Sequence, residues 1–394
     1  MILALMSQSI GHTDSRILVL TGWYPSSLEP SNGDFVKEQV RLLRLEGLKI
    51  DLIYADLNIA YLPKGVAQTR TELSYDDQGN LTAILSGPFW PKNTLWGLNR
   101  WIVRYASFIQ HIIASYRQGE KYRLIHTHTY LGGCVALRVD TPYLITEHFT
   151  GWLDGSIRKS HRSLAIPAMD QASVVTAVSP GLTEAMSKVT DTKTITLPNF
   201  IDTTFFIPSA KEPSDVFGFI GVGDLIKRKN WGDLIKAFAE VHKELPDTSL
   251  TIIGEGEERD GLRELISKLH LEKSIQLTGR LGRDQLLQHL QKAHVLVHPS
   301  LTETFGLVLA EAMSCGLPVI TYPNEAASHL IRDSDHGMIT SSFSSDLLAS
   351  AMTKMIEEYD RFERSSLHRY IQNNFSPQSI TEQLKAIYSE VEPE

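Results

Sequence analysis

Between residues 217 and 322, short apolar runs alternate with amphipathic stretches at a spacing that few architectures can hold. Runs at 217–222, 249–253, 275–278, 294–298 and 318–322 read as strands, and 231–245, 257–270 and 283–292 read as helices. A chain that passes repeatedly from strand through helix to strand builds right-handed βαβ units. The spacing therefore predicts a parallel sheet covered on both faces. The first half repeats the pattern less regularly. Ile17-Leu-Val-Leu20 is a continuous apolar run, a helix is expected over about 34–46, and further strands at 49–54, 124–128, 143–148, 173–178 and 194–197. With 394 residues there is chain enough for two doubly wound α/β domains. The first is expected over 1–205, ending in Leu197-Pro198-Asn199-Phe-Ile-Asp202. The second spans 206–375 and opens with a linker at 207–213, and 376–394 supplies a last helix begun by Pro377.

Composition removes several function classes. Cys134 and Cys315 are the only cysteines and both fall in apolar helical contexts, which argues against a disulfide framework or a cysteine metal site. No run of about 18 apolar residues occurs, and the apolar start Met1–Met6 is too short and lacks the basic lead of a signal peptide. Residues up to Phe205 hold 19 Lys+Arg against 18 Asp+Glu, leaving 19 against 28 for the rest. The acidity lies in the second half, so nonspecific nucleic-acid binding is not expected.

The chemistry concentrates between Pro299 and Pro318. A helix is expected from about Phe305 to Cys315, stopped by Gly316 and Pro318, and apolar on almost every face. Glu311 sits in its middle with no Lys or Arg within one turn, and a carboxylate on a buried helix is costly unless something donates to it. Glu303 precedes the first turn, where the N–H groups of Thr304, Phe305 and Gly306 would face an anion. Gly306 has no side chain to keep a ligand away. Carboxylates accept from hydroxyls and helix-start amides accept phosphate, so a nucleotide sugar satisfies both. Taken singly, each glutamate also suits a structural role, Glu311 bonded to a neighbouring strand and Glu303 on the surface.

With Phe305-Gly306 between the glutamates and Glu311-Ala-Met-Ser-Cys-Gly-Leu-Pro-Val319 after them, this stretch resembles the Glu-x7-Glu signature of retaining glycosyltransferases of the GT-B fold, in particular the GT4 family. The resemblance implies two Rossmann-like domains facing across a cleft, with acceptor on the first and donor on the second. It also implies that Glu303 binds donor-sugar hydroxyls and Glu311 the nucleotide ribose, with Thr304 to Leu307 lining the donor. His148, ending the strand Tyr143–His148, matches a family histidine that contacts the donor sugar, and Thr278-Gly279-Arg280-Leu281 falls where the backbone reads the base. The loop up to Gly33 matches one facing the acceptor and the diphosphate, although Gly33 read alone is a turn glycine.

Gly221-Val-Gly223-Asp-Leu-Ile-Lys227-Arg228-Lys229, at a strand's carboxyl end, reads as a diphosphate clamp, with a solvated basic loop as the alternative. Lys229 matches the family's lysine. Asp224 stands where an Arg is common, and Arg228 or Lys227 is expected to compensate. Metal is not expected. His126, His128 and His148 lack a completing carboxylate–cysteine set, and Asp333-Ser-Asp335 lies in a polar loop with no strand or third ligand foreseen nearby. From 90 to 123, Trp90, Trp96 and Trp101 lie among basic residues with Glu120 the only acid. The segment reads either as an amphipathic helix with its aromatics in the core or as a peripheral membrane contact.

The expected activity is metal-independent transfer of a hexosyl group from a nucleoside-diphosphate sugar to a glycan or lipid-linked acceptor, with retention, without a cofactor, in the cytoplasm or at the inner face of its membrane. The rivals are a non-catalytic nucleotide- or glycan-binding protein on the same fold and a sugar-nucleotide epimerase.

Overall fold

The computed structural model describes residues 16–22, 33–55, 70–86, 95–116, 121–210 and 216–391. The chain forms two compact units. One comprises residues up to Leu197 together with those from Thr381, and the other Pro198–Ile380, so the division falls ahead of the expected 205–206.

The first unit contains β1 (Ile17–Thr21), α1 (Asp34–Leu45), β2 (Ile50–Ala55), β3 (Arg70–Tyr75), β4 (Leu81–Ser86), α2 (Leu95–Tyr116), β5 (Leu124–His128), α3 (Thr129–Ala136), β6 (Tyr143–Glu147), α4 (Lys159–Asp170), β7 (Val174–Ala177), α5 (Pro180–Ser187) and β8 (Thr194–Thr196). The strand order is β3-β4-β2-β1-β5-β6-β7-β8, parallel except where β3 turns back on β4. The β3–β4 hairpin was not expected from the sequence. Four of the five β3 side chains from Thr71 to Tyr75 are exposed, so this edge strand lacks the alternation that announces a half-buried one.

Asp51, fully buried in β2, ties the hairpin to the sheet. Its carboxylate accepts from Leu81 N at 2.8 Å and from Tyr122 Oη at 2.6 Å, with the Arg16 guanidinium at 3.4 Å. Helix α2 places Trp101 and Tyr105 in the core, each 1 % exposed, and Tyr105 Oη donates to Ile53 O at 2.7 Å. That answers the membrane option for these two rings, and Arg100 and Arg104 lie on the exposed face. Trp90, Lys92, Arg117, Glu120, the Trp96 side chain, the loop 23–32 and the linker residues 211–215 lie outside the described residues.

The second unit contains β9 (Phe217–Val222), α6 (Trp231–Glu244), β10 (Thr248–Ile253), α7 (Arg259–Lys268), β11 (Ile275–Gly279), α8 (Arg283–Lys292), β12 (Val295–His298), α9 (Leu307–Ser314), β13 (Val319–Thr321), α10 (Glu325–Leu330), β14 (Gly337–Ile339), α11 (Ser345–Glu357) and α12 (Arg364–Phe375). Its parallel sheet runs β11-β10-β9-β12-β13-β14. The predicted alternation is present throughout. The unforeseen β14 begins two residues after Asp335, so that loop does adjoin a strand. Among the described residues, no three His, Cys, Asp or Glu side chains cluster as a metal site.

The helix α13 (Pro377–Val391) follows. Its residues from Thr381 belong to the first unit, where Tyr388 Oη meets His126 Nδ1 at 2.7 Å and Lys385 pairs with Glu46 at 2.8 Å. Among the described residues no helix is long and apolar enough to cross a membrane.

Replacing Asp51 by Ala removes the acceptor of the Leu81 amide and one partner of Tyr122. We expect it to cost the first unit about 3 kcal/mol, read as faster amide hydrogen exchange in β2 and β4 with β9–β12 unchanged.

Candidate functional site

In the second unit, the loop after β9 is shaped by an indole. A Cβ on Gly221 would lie 2.6 Å from the Trp231 ring, so that glycine makes room for packing rather than for a ligand. Trp231 is fully buried and donates from Nε1 to Asp224 O at 2.9 Å. Beside it Gly254, at φ +155°, brings its α-carbon so close to Gly223 O that a Cβ would sit 1.9 Å away. The loop continues as a 3-10 turn, Lys227–Lys229, and its three cations separate. Lys227 is exposed. Arg228 donates from one terminal nitrogen to Thr302 O at 2.9 Å, bracing the segment that carries Glu303. Lys229 turns inward and pairs with Glu303.

Glu303 is held through one oxygen. Its Oε2 receives the Lys229 ammonium and His298 Nε2, the latter at 3.3 Å, whereas Oε1 has no partner among the described residues. Burial opposes its charge, but Lys229 and His298 override burial and hold the carboxyl well below its usual range. His298, ending β12, is fully buried and was not singled out in the sequence. Burial and then the Lys229 charge lower its pKa.

Helix α9 begins at Leu307, two residues later than expected, with Gly306 left-handed at φ +76° as its N-cap. A Cβ there would lie 2.8 Å from Ala326 Cβ, so the glycine is required by packing as well as by conformation. No backbone carbonyl among the described residues accepts from the amides of Thr304, Phe305, Gly306, Leu307 or Val308. The open amides therefore extend beyond the three expected. The Phe305 ring itself is core, set against His329 and Phe375. Glu311 is half-buried with no hydrogen-bond partner among the described residues. Burial pushes its carboxyl up to about 7 despite the opposing charge of Arg283. Arg283 is itself engaged by Asp202 at 2.7 Å and lies 4.1 Å over the Phe205 ring.

Arg280 and Leu281 follow β11. Arg280 reaches Asp224 Oδ1 at 3.3 Å, so the acid at the family's arginine position is met by a cation from another strand end.

In the first unit, His148 follows β6 and stacks on His128, with His148 Nε2 3.0 Å from His128 Nδ1, and the His128 ring stacks on His126. Burial holds all three rings well below the ordinary histidine value, neutral and unlike a charged cluster. Glu147 orients the turn by accepting from the amides of Tyr130, His148 and Phe149 at 2.8–2.9 Å, and burial pushes its carboxyl up to about 6. Phe35, on α1, packs 4.9 Å from the His148 ring, and Gly33 is the left-handed N-cap of that helix.

The Lys229–Glu303 pair predicts a pH dependence. With its folded pKa depressed, Glu303 adds stability above the ordinary carboxylate value, lost as pH falls through the lower folded one. In Lys229→Met, burial is opposed by His298 alone and the folded pKa rises, so this contribution shrinks. We expect the gain in urea midpoint between about pH 3 and about pH 6 to be smaller in the variant than in wild type. An unchanged gain would mean that Lys229 does not hold the Glu303 carboxylate.

Residues 35–205 match the family described as Glycosyltransferase Family 4, and 202–375 the family described as Glycosyl transferases group 1. Among curated relatives, the chain is 26% identical over 203 residues to the phosphatidylinositol N-acetylglucosaminyltransferase gpi3 subunit of Schizosaccharomyces pombe, covering 50% of this chain and 43% of that one. It is 28% identical over 235 residues to N-acetyl-alpha-D-glucosaminyl L-malate synthase of Bacillus anthracis, covering 57% and 61%. These matches thus span less than two thirds of either relative's length. In structure it is similar to sucrose-phosphate synthase of Thermosynechococcus elongatus, with TM-score 0.78, 19% identity and coverage of 96% and 99%. An Anabaena protein solved with UDP and glucose gives TM-score 0.70, 18% identity and coverage of 95% and 100%. Two consecutive family matches that together run from 35 to 375, on a fold shared with these enzymes, place the chain in the GT4 family of GT-B glycosyltransferases.

Proposed function

We propose that the chain transfers a hexosyl group from a nucleoside-diphosphate sugar to a glycan or lipid-linked acceptor, retaining anomeric configuration and using no metal. The observation that carries this reading is a run of amides, Thr304–Val308, unpaired among the described residues and lying between two carboxylates with oxygens left open. The amides and Lys229 suit a diphosphate. Glu303 Oε1 suits sugar hydroxyls, and Glu311 a ribose diol whose two hydroxyls would supply the donors it lacks.

In this reading the rate comes from stabilising charge on the departing diphosphate. Lys229 and the helix-start amides meet that charge as it develops, the work a divalent cation does elsewhere. Arg228 acts by holding the Glu303 loop and by its positive charge, and Arg280 with Leu281 lies beside the base. His148 is neutral and so suited to exchange a hydrogen bond with a sugar hydroxyl rather than to pair with an anion. Among the described residues near Glu303 none is placed as a covalent nucleophile, and front-face attack, with the leaving phosphate accepting the acceptor's proton, accounts for retention. Relatives named for acceptors as unlike as phosphatidylinositol and malate support a variable acceptor side, and lipid-linked acceptors would bring the protein to a membrane surface.

A non-catalytic donor-binding protein is the second reading, favoured by Asp224 at the arginine position. Diphosphate release from a panel of UDP-, ADP- and GDP-sugars separates the two. We expect release that survives a chelator, is abolished in Lys229→Ala and falls about tenfold in Arg228→Ala. Binding without release would support the second reading.

Glu311 gives a pH signature. Its carboxyl is raised to about 7, so a donor whose ribose needs the ionised form binds more tightly as pH rises from about 6 to about 8. Glu311→Gln should bind more weakly and lose that slope in a titration calorimeter.

A further inference from the structure

The contacts of Glu303 are one-sided. Lys229 and His298 share Oε2, and Oε1 is left open among the described residues. His298 is fully buried and its Nδ1 has no partner among them. The tautomer follows from these contacts. A proton on Nδ1 would bury an unmade donor and turn the Nε2 lone pair toward a carboxylate, so the proton sits on Nε2 and is donated to Glu303. The ring otherwise meets the edge of Trp231, at 6.2 Å between centroids, a packing role that an apolar side chain would fill without an unsatisfied nitrogen.

The hydrogen bond therefore needs a purpose beyond packing, since Lys229 already holds the same oxygen. A diphosphate changes that balance, because it competes with Glu303 for the Lys229 ammonium. We propose that His298 is a positioning residue, keeping Glu303 in place with Oε1 turned to the donor's sugar after Lys229 has moved from Glu303 to the phosphates. The proposal rests on the donor-site reading above. It makes Glu303 a stand-in for phosphate in the ligand-free chain and assigns His298 the restraint that remains when the ion pair opens.

The test compares His298→Met with His298→Gln, side chains of similar length and shape of which only Gln donates a hydrogen bond near the Nε2 position. Each variant is titrated with a nucleoside diphosphate and with the sugar nucleotide of the same base that most stabilises the wild-type chain in the panel, and turnover is measured alongside. In His298→Met we expect the sugar's contribution to affinity, the ratio of the two dissociation constants, to fall about tenfold, with kcat falling by a similar factor. His298→Gln should stay within about threefold of wild type. Unfolding midpoints check that both variants fold. A wild-type ratio and kcat in a folded His298→Met, or equal losses in both variants, would overturn the role. So would an unfolded Met variant beside a Gln variant that loses the ratio. If no sugar nucleotide binds the wild-type chain, the donor site itself falls and the proposal falls with it.

Discussion

The ion pair between Lys229 and Glu303 joins the loops that follow two adjacent strands, β9 and β12, and the candidate site is assembled around that junction. Its position follows from the sheet. A parallel sheet is stable only when both faces are covered, so the layers of helices leave the carboxyl ends of the strands as the place where polar groups can gather. Arg280 after β11, Lys229 after β9 and Glu303 after β12 all come from such ends. Arg228 then ties one loop to the other through Thr302 O, so the acid and the lysine are held by backbone as well as by charge.

How much of this was legible depended on whether a residue's reason lay nearby in the chain. The regular strand–helix spacing of 217–322 was readable because each element carries its own period of apolar residues, and the glutamates stood out because acids interrupt an apolar helix and its approach. The β3–β4 hairpin was not readable, since the exposed side chains of β3 show no alternation, and what docks it on the sheet is Asp51, 30 residues from the Leu81 amide that it anchors. His298 was hidden for the opposite reason. In sequence it looks like the polar end of an apolar strand, and only burial beside Glu303 reveals a donor.

For several residues that the sequence singles out, the structure supplies a different local reason. Gly221 is dictated by Trp231, and the amide run open to an anion extends past Gly306 to Val308. Glu303 was expected to await a ligand and instead already has a cation on one oxygen, with the other open. Asp224, a departure from the family pattern when read alone, is met by Arg280 after β11, a pairing that strand order creates and linear spacing conceals.

Residues 381–391 of α13 complete the first unit, yet they come after the whole of the second in the chain. During synthesis the earlier unit therefore waits for its covering helix while some 180 further residues are made, about ten seconds or more at ribosomal speed. Over that interval His126 lacks the Tyr388 hydroxyl, and the surface that Leu384 and Ile387 help to bury is unfinished. The order in which the codons are read thus gives the nascent protein a vulnerable stage, in which a chaperone or a protease meets a half-closed sheet.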